Sequence, residues 1–176
     1  DEAGLYAEAA AMFEQAAQRS QKNVDAKIGL KKTGQLLLND KLSSFFKDMA
    51  MGSAKGEAVA TYLEAKAYQE RIQRLGVVLE IPDHYKADFD RVKGEHLVDL
   101  YNEGQALLGK QEYSAAEQVF ARIARLEPNY KDANSLQAVA YSEPLYRTGK
   151  VDLADGRYRK AYDSFNKVVA KDAGYK

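Results

Sequence analysis

The stretch YSAAEQVFARI at residues 113–123 decides the fold, and it returns in outline as YRKAYDSFNKV at residues 158–168. Tyr113, Ala116, Phe120 and Ile123 stand three, four and three residues apart, and Tyr158, Ala161, Phe165 and Val168 repeat those steps. Such steps place side chains on one stripe of an α-helix. The small alanine admits a neighbouring helix closely, and the aromatic rings fill the space on either side. The same ladder occurs at Tyr6, Ala9, Phe13 and Ala16, and in weaker form at Tyr62, Ala65, Gln69 and Ile72. Four ladders in one chain point to repeated amphipathic helices rather than to one chance pattern.

The two C-terminal ladders are embedded in a longer match. YNEG at residues 101–104 precedes the first, and YRTG at residues 146–149 precedes the second. PNYK at residues 128–131 follows the first, and AGYK at residues 173–176 follows the second. All of these matches share an offset of 45 residues.

Gly104, Tyr113, Ala116, Phe120 and Pro128 resemble the glycine, aromatic, alanine, phenylalanine and proline signature of the tetratricopeptide repeats. Gly149, Gly156, Tyr158, Ala161 and Phe165 resemble it again, with Ala173 in place of the proline. The match covers about residues 100–176 and is degenerate before that. Leu100 and Leu145 stand where that family usually opens its motif with a bulky aromatic. The spacing departs as well: the family repeats every 34 residues, whereas these ladders begin at residues 6, 62, 113 and 158. The 45-residue period exceeds 34 by about three helical turns, an insertion that keeps the apolar stripe facing one way. The first helix of each pair is therefore expected to be lengthened at its N-terminal end. The gap between the second and third ladders does not follow this rule, and an extra loop near Pro82, Asp83 and His84 is expected there.

The resemblance implies an all-α, right-handed solenoid of about seven antiparallel, lengthened helices in one domain over residues 1–176. Its units would span about 1–54, 55–109, 110–154 and 155–176. Helices are expected over about 3–19, 24–50, 56–80, 84–108, 112–126, 131–153 and 157–171, with the clearest break at residues 52–56, where Gly52 and Gly56 favour a turn. Pro144 either kinks a long helix or starts a new one capped by Ser142. Tyr6, Tyr62, Tyr113 and Tyr158, as ladder residues, are expected in the core. Gly29, Gly34, Gly104 and Gly149 fall inside helical patterns, where glycine costs about 1 kcal/mol against alanine, so close helix packing is the expected reason for them.

The totals narrow the function classes. Hydrophobic residues make up 45% and charged residues 30% of the 176, which suits a folded globular chain rather than a disordered one. Lys plus Arg and Asp plus Glu balance at 26 each, so the chain lacks the excess of cations that non-specific nucleic-acid binding needs. Absence of cysteine removes disulfides and thiolate chemistry. No apolar run approaches the roughly 20 residues of a membrane-spanning helix. The start at Asp1 without Met is compatible with a removed signal or lipid-attachment segment. Uneven units, no cysteine and that start resemble bacterial envelope proteins, which favours the periplasm or cell envelope over the cytoplasm, with a lipid anchor outside these residues.

Chemistry-bearing motifs are sparse. His84 and His96 are the only histidines. His96, Asp99 and Glu95 could approach one another on a helix, but one nitrogen ligand needs two or three further converging groups, so a solvated polar face is preferred and no metal or cofactor is expected. Arg157, Tyr158, Arg159 and Lys160 combine cations with an aromatic, as do some single-strand binders; the ladder instead points Tyr158 inward and leaves the cations in solvent. Lys31 and Lys32 read as a solvated face. No catalytic residues are expected.

In tetratricopeptide proteins the first helix of each pair lines a concave, peptide-binding groove. The resemblance carries Tyr101, Asn102 and Gln105 into that groove from one unit and Tyr146, Arg147 and Lys150 from the next. Packing between repeats is the competing role for the two tyrosines. The implied function is a non-catalytic scaffold that binds an unidentified peptide or partner helix, with a structural or assembly subunit of an envelope complex as the alternative.

Overall fold

The computed structural model describes residues 2–51 and 55–175. These residues are all-helical: α1 (Glu2–Arg19), α2 (Val24–Ala50), α3 (Lys55–Gln73), α4 (Asp83–Gly109), α5 (Tyr113–Leu126), α6 (Ala133–Ala154) and α7 (Tyr158–Lys171). The chain forms two compact units that divide between His96 and Leu97, so α4 contributes to both.

In the first unit, α2 packs on α1 and on α3. Asn23 caps α2 by accepting a hydrogen bond from the Ala26 amide at 3.0 Å, which satisfies one of the donors left unpaired at a helix start. Leu30, Leu38, Leu42 and Phe45 are buried along α2 at helical spacing. Phe45 meets the buried Tyr62 edge-on at 5.3 Å, and Tyr62 stacks on Phe89 at 4.2 Å.

Helix α3 ends at Gln73, not at 80 as the sequence suggests. Gly76 (φ 78°) turns the chain in the left-handed region, and residues 77–82 run without helix. Val77 and Leu79 are buried while Val78 and Glu80 are exposed, the alternation of an extended segment. Two glutamines hold it. Gln35 Nε2 donates to the Glu80 carbonyl and Gln35 Oε1 accepts from the Glu80 amide, both at 2.9 Å. Gln69 Nε2 donates to the Leu79 carbonyl at 2.7 Å. The extra non-helical length thus lies before Pro82, while Asp83 and His84 already belong to α4. Gly52, part of the expected break between α2 and α3, lies outside the described residues.

The second unit joins the C-terminal part of α4 to α5, α6 and α7. Leu97 and Leu100 pack with Ala116, Val119, Phe120, Ile123, Ala133 and Ala140 in one core. Pro144 lies inside a continuous α6. Ser142 is therefore not a cap; it is fully buried within the helix. Long and short helices alternate here: α4 has 27 residues and α6 has 22, against 14 for α5 and for α7.

The helical glycines mark close approaches. A Cβ at Gly104 would stand 2.7 Å from Phe120, and one at Gly149 would stand 2.7 Å from Phe165. Gly29 meets Phe13 in the same way at 2.5 Å, with the order along the chain reversed. In α1 the ladder residues Tyr6, Ala9, Phe13 and Ala16 are half-buried, and Ala10 and Ala17, one position on, are the fully buried ones. Tyr158 departs furthest from its expected core position, since it is 71% exposed. Its counterpart Tyr113 is half-buried under the guanidinium of Arg147 on α6, and no described helix follows α7 to cover Tyr158 likewise.

Candidate interaction surface

The six residues expected to line a groove all lie in the second unit, on the C-terminal part of α4 and on α6. They are three equivalent pairs at the 45-residue offset: Tyr101 with Tyr146, Asn102 with Arg147, and Gln105 with Lys150. The helix that follows each glycine position fixes their setting, because Gly104 and Gly149 bring a phenylalanine ring against the backbone beside them.

Tyr101 and Tyr146 are half-buried and serve packing. Tyr101 meets Phe120 edge-on at 6.3 Å and Tyr130 edge-on at 6.0 Å. Tyr146 meets Phe165 at 5.9 Å and Tyr175 edge-on at 6.0 Å. An aromatic triplet is thus built twice. Edge-to-face contacts suit the ring quadrupole, and the third ring of each comes from the loop after the short helix.

A polar layer lies over each triplet. Tyr101 Oη donates to Asp132 Oδ1 at 2.5 Å, and Gln105 Nε2 donates to Tyr101 Oη at 3.2 Å. The Asp132 bond, followed by desolvation and nearby negative charge, raises the Tyr101 phenol above its ordinary range. The ammonium of Lys131 sits 4.2 Å from the Tyr101 ring centroid, and that of Lys150 sits 5.7 Å from the Tyr146 centroid. In the second copy, Tyr175 Oη donates to Glu143 Oε2. Glu143 also accepts from Arg147 Nε at 2.8 Å, which raises the guanidinium further above its ordinary value.

Asn102, Gln105, Arg147 and Lys150 are exposed. Arg147 donates from a terminal nitrogen to Gln111 Oε1 at 2.7 Å and lies 5.6 Å from the Tyr113 ring centroid. Gln111 and Tyr113 in turn line an open cleft of about 550 Å³ between the start of α5 and α6, together with Ala115, Ala140, Tyr141 and Pro144. Arg147 therefore contacts two residues of the cleft wall.

Sequence reasoning does not single out Gln111. It has φ 63°, in the left-handed region where its counterpart Gly156 has φ 73°. The repeat itself carries the signal, since Gly156 aligns with a residue that is not glycine. Strained backbone of this kind clusters at ligand-contacting positions. Asp132 and Glu143, which accept the hydrogen bonds of the polar layer, escape it too; Tyr130 and Tyr175 share the 45-residue offset and are legible as a pair.

Among the described residues, no three His, Cys, Asp or Glu side chains cluster as metal ligands, and no helix is long and apolar enough to cross a membrane. The chain matches no protein-family model, no curated protein and no solved structure.

Proposed function

We propose that the chain is a non-catalytic interaction scaffold, related to the tetratricopeptide repeats, that holds an extended peptide or partner helix on the exposed side of α4 and α6. The carrying observation is the repeated register of that surface. Asn102 and Gln105 stand beside one half-buried aromatic triplet, and Arg147 and Lys150 stand beside the next at equivalent positions. A ligand crossing both copies meets amide groups first and cations second, which suits a peptide whose far end is acidic. Firm aromatic packing beneath holds the recognition groups in place before binding, and such preorganisation lowers the entropy lost on association.

The test is recovery of binding partners from the source organism by wild type and by a variant carrying Asn102→Ala, Gln105→Ala, Arg147→Ala and Lys150→Ala. All four side chains are exposed, so the variant keeps the helical circular dichroism of wild type. Loss of specific partners supports the reading. Equal recovery of every partner overturns it.

A structural or assembly role is the second reading, favoured by the apolar residues exposed on α7. Sedimentation at high protein concentration separates the two readings where assembly is between copies of this chain.

A further inference from the structure

Helix α3, the first turns of α4 and Ile81 of the extended segment between them line a recess of about 270 Å³. All of its lining residues belong to the first unit. Tyr62, Lys66 and Gln69 reach it from one stripe of α3, at steps of four and three residues. Gln69 also holds the neighbouring segment, through its bond to the Leu79 carbonyl. The volume lies just under the roughly 300–1,000 Å³ of drug-sized ligand sites, which suits a smaller molecule.

One wall is firmly set. Tyr62 is only 4% exposed, stacked on Phe89 at 4.2 Å and edge-on to Phe45 at 5.3 Å. Its hydroxyl makes no hydrogen bond among the described residues, although a buried tyrosine ordinarily finds a partner for that group. Burial, and after it the charge of Asp90, raise the phenol above its ordinary range. A rigid ring thus presents an unused hydroxyl at the wall of an open recess, within reach of the Asp90 charge.

Four charged side chains complete the lining: Lys66 and Lys86, Asp83 and Asp90. None of them makes an ion pair among the described residues. Lys86 stands three residues after Asp83 and four before Asp90, spacings at which helical side chains can pair. An ion of one sign would leave the opposite charges unanswered, whereas a zwitterion answers both. Asp83 already complements the positive N-terminal end of α4. Asp90 lies too far along the helix for that role.

We infer that this recess binds a small zwitterion of the α-amino acid class. The ligand ammonium donates to Asp90 and to the Tyr62 hydroxyl oxygen, its carboxylate meets Lys66 and Lys86, and its side chain lies on Ile81 and Phe89. The site belongs to the first unit and stands or falls independently of the surface proposed for the second.

The probes are the standard L-α-amino acids, each titrated with the intact chain by isothermal calorimetry, followed by the deaminated and decarboxylated forms of the tightest binder. Saturable one-to-one binding is expected for at least one amino acid, with either analogue weaker by roughly tenfold, the scale of a lost charge-assisted hydrogen bond. Lys66, Lys86 and Asp90 are exposed, so their variants keep the helical spectrum. Asp90→Asn should weaken binding and narrow the preference for the amino acid over its deaminated form. Lys66→Gln with Lys86→Gln should narrow the preference over the decarboxylated form instead. Tyr62→Phe keeps both ring contacts and should weaken binding about threefold. The proposal is overturned by absence of saturable binding for every amino acid, or by an analogue that binds as tightly as its parent. Preferences unchanged in the Asp90 and lysine variants also overturn it, because any binding then lies elsewhere.

Discussion

Gly104 lies so close to Phe120 that a Cβ on the glycine would stand 2.7 Å from the ring. Phe120 is fully buried, while Phe165, opposite Gly149 at the same distance, is only half-buried. Alanine gains about 1 kcal/mol of helix propensity at either glycine, against an overpacking cost of about 1–3 kcal/mol where the ring cannot move. Gly104→Ala is therefore expected to destabilise the protein by about 1 kcal/mol and Gly149→Ala to be near neutral. Chemical denaturation measures both. Adding Phe120→Leu should make Gly104→Ala less costly than it is alone, a coupling expected only of side chains in contact; additive effects would refute the close approach as the reason for the glycine.

Tyr68 and Gly34 set up the opposite case. The Tyr68 hydroxyl is buried without a hydrogen-bond partner among the described residues, and a Cβ on Gly34 would stand 3.0 Å from it. Tyr68→Phe removes an unsatisfied polar group and is expected to stabilise by about 1 kcal/mol. It also removes the obstacle, leaving Leu79 Cδ1 as the nearest atom at 3.5 Å. Gly34→Ala should then destabilise wild type yet stabilise the Tyr68→Phe variant. One sign in both backgrounds would show that the hydroxyl is not what limits the site.

The helices are legible in the sequence because their faces repeat. The Tyr-Ala-Phe ladder places α5 and α7 closely, and the glycines foretell the approaches that Phe13, Phe120 and Phe165 make. What escapes depends on what comes next in space. Tyr158 carries the same local signal as Tyr113, and only the helix lying over Tyr113 makes their environments differ. The run from Val77 to Glu80 reads as helix because its apolar residues continue α3; β-branched residues after Gly76 and before Pro82 are the local signs of an extended segment. In the candidate site, the pairing of Tyr101 with Tyr146 is visible in the sequence. The partners Asp132 and Glu143 are not, since a hydrogen bond across 31 residues leaves no periodic trace.

Alkaline titration tests the polar layer. The neutral Tyr101 hydroxyl donates to Asp132, so ionisation breaks that bond and sets two negative charges together; the folded value lies above 10.0. Stability from the pair is fully present below the unfolded tyrosine value and is lost as pH rises through the raised folded value. Tyr62 and Tyr68 are raised chiefly by burial and lose their contribution in the same direction. Phenolate absorbance against pH should show Asp132→Asn advancing the ionisation of Tyr101 to lower pH while the two buried rings still ionise late. An unchanged curve would remove Asp132 as the main cause.

Gln111 tests whether backbone strain serves the site. Its left-handed conformation costs about 1 kcal/mol or more relative to a residue that adopts it readily, and Gly156 fills the equivalent turn without that cost. Gln111→Gly should raise stability by about 0.5–1 kcal/mol. It also releases Arg147 from its bond to Gln111, so partner recovery should fall although the fold is firmer. Higher stability with unchanged recovery would separate Gln111 from binding.

Gln35 makes a sharper local prediction, because both ends of one side-chain amide serve one residue. Its Oε1 accepts from the Glu80 amide and its Nε2 donates to the Glu80 carbonyl, reproducing the two bonds a neighbouring strand would make. Gln35→Glu keeps an acceptor for the amide but replaces the donor with an oxygen that repels the carbonyl. Gln35→Ala removes both bonds. Hydrogen exchange at the Glu80 amide should accelerate strongly in the alanine variant and less in the glutamate variant, while amides in the middle of α2 keep their protection. Leu79 stays anchored through its carbonyl bond to Gln69, so the loosening should be confined to the outer part of the segment. If Glu80 exchanges at the wild-type rate in Gln35→Ala, burial of Val77 and Leu79 alone fixes the segment and the glutamine bracket is incidental.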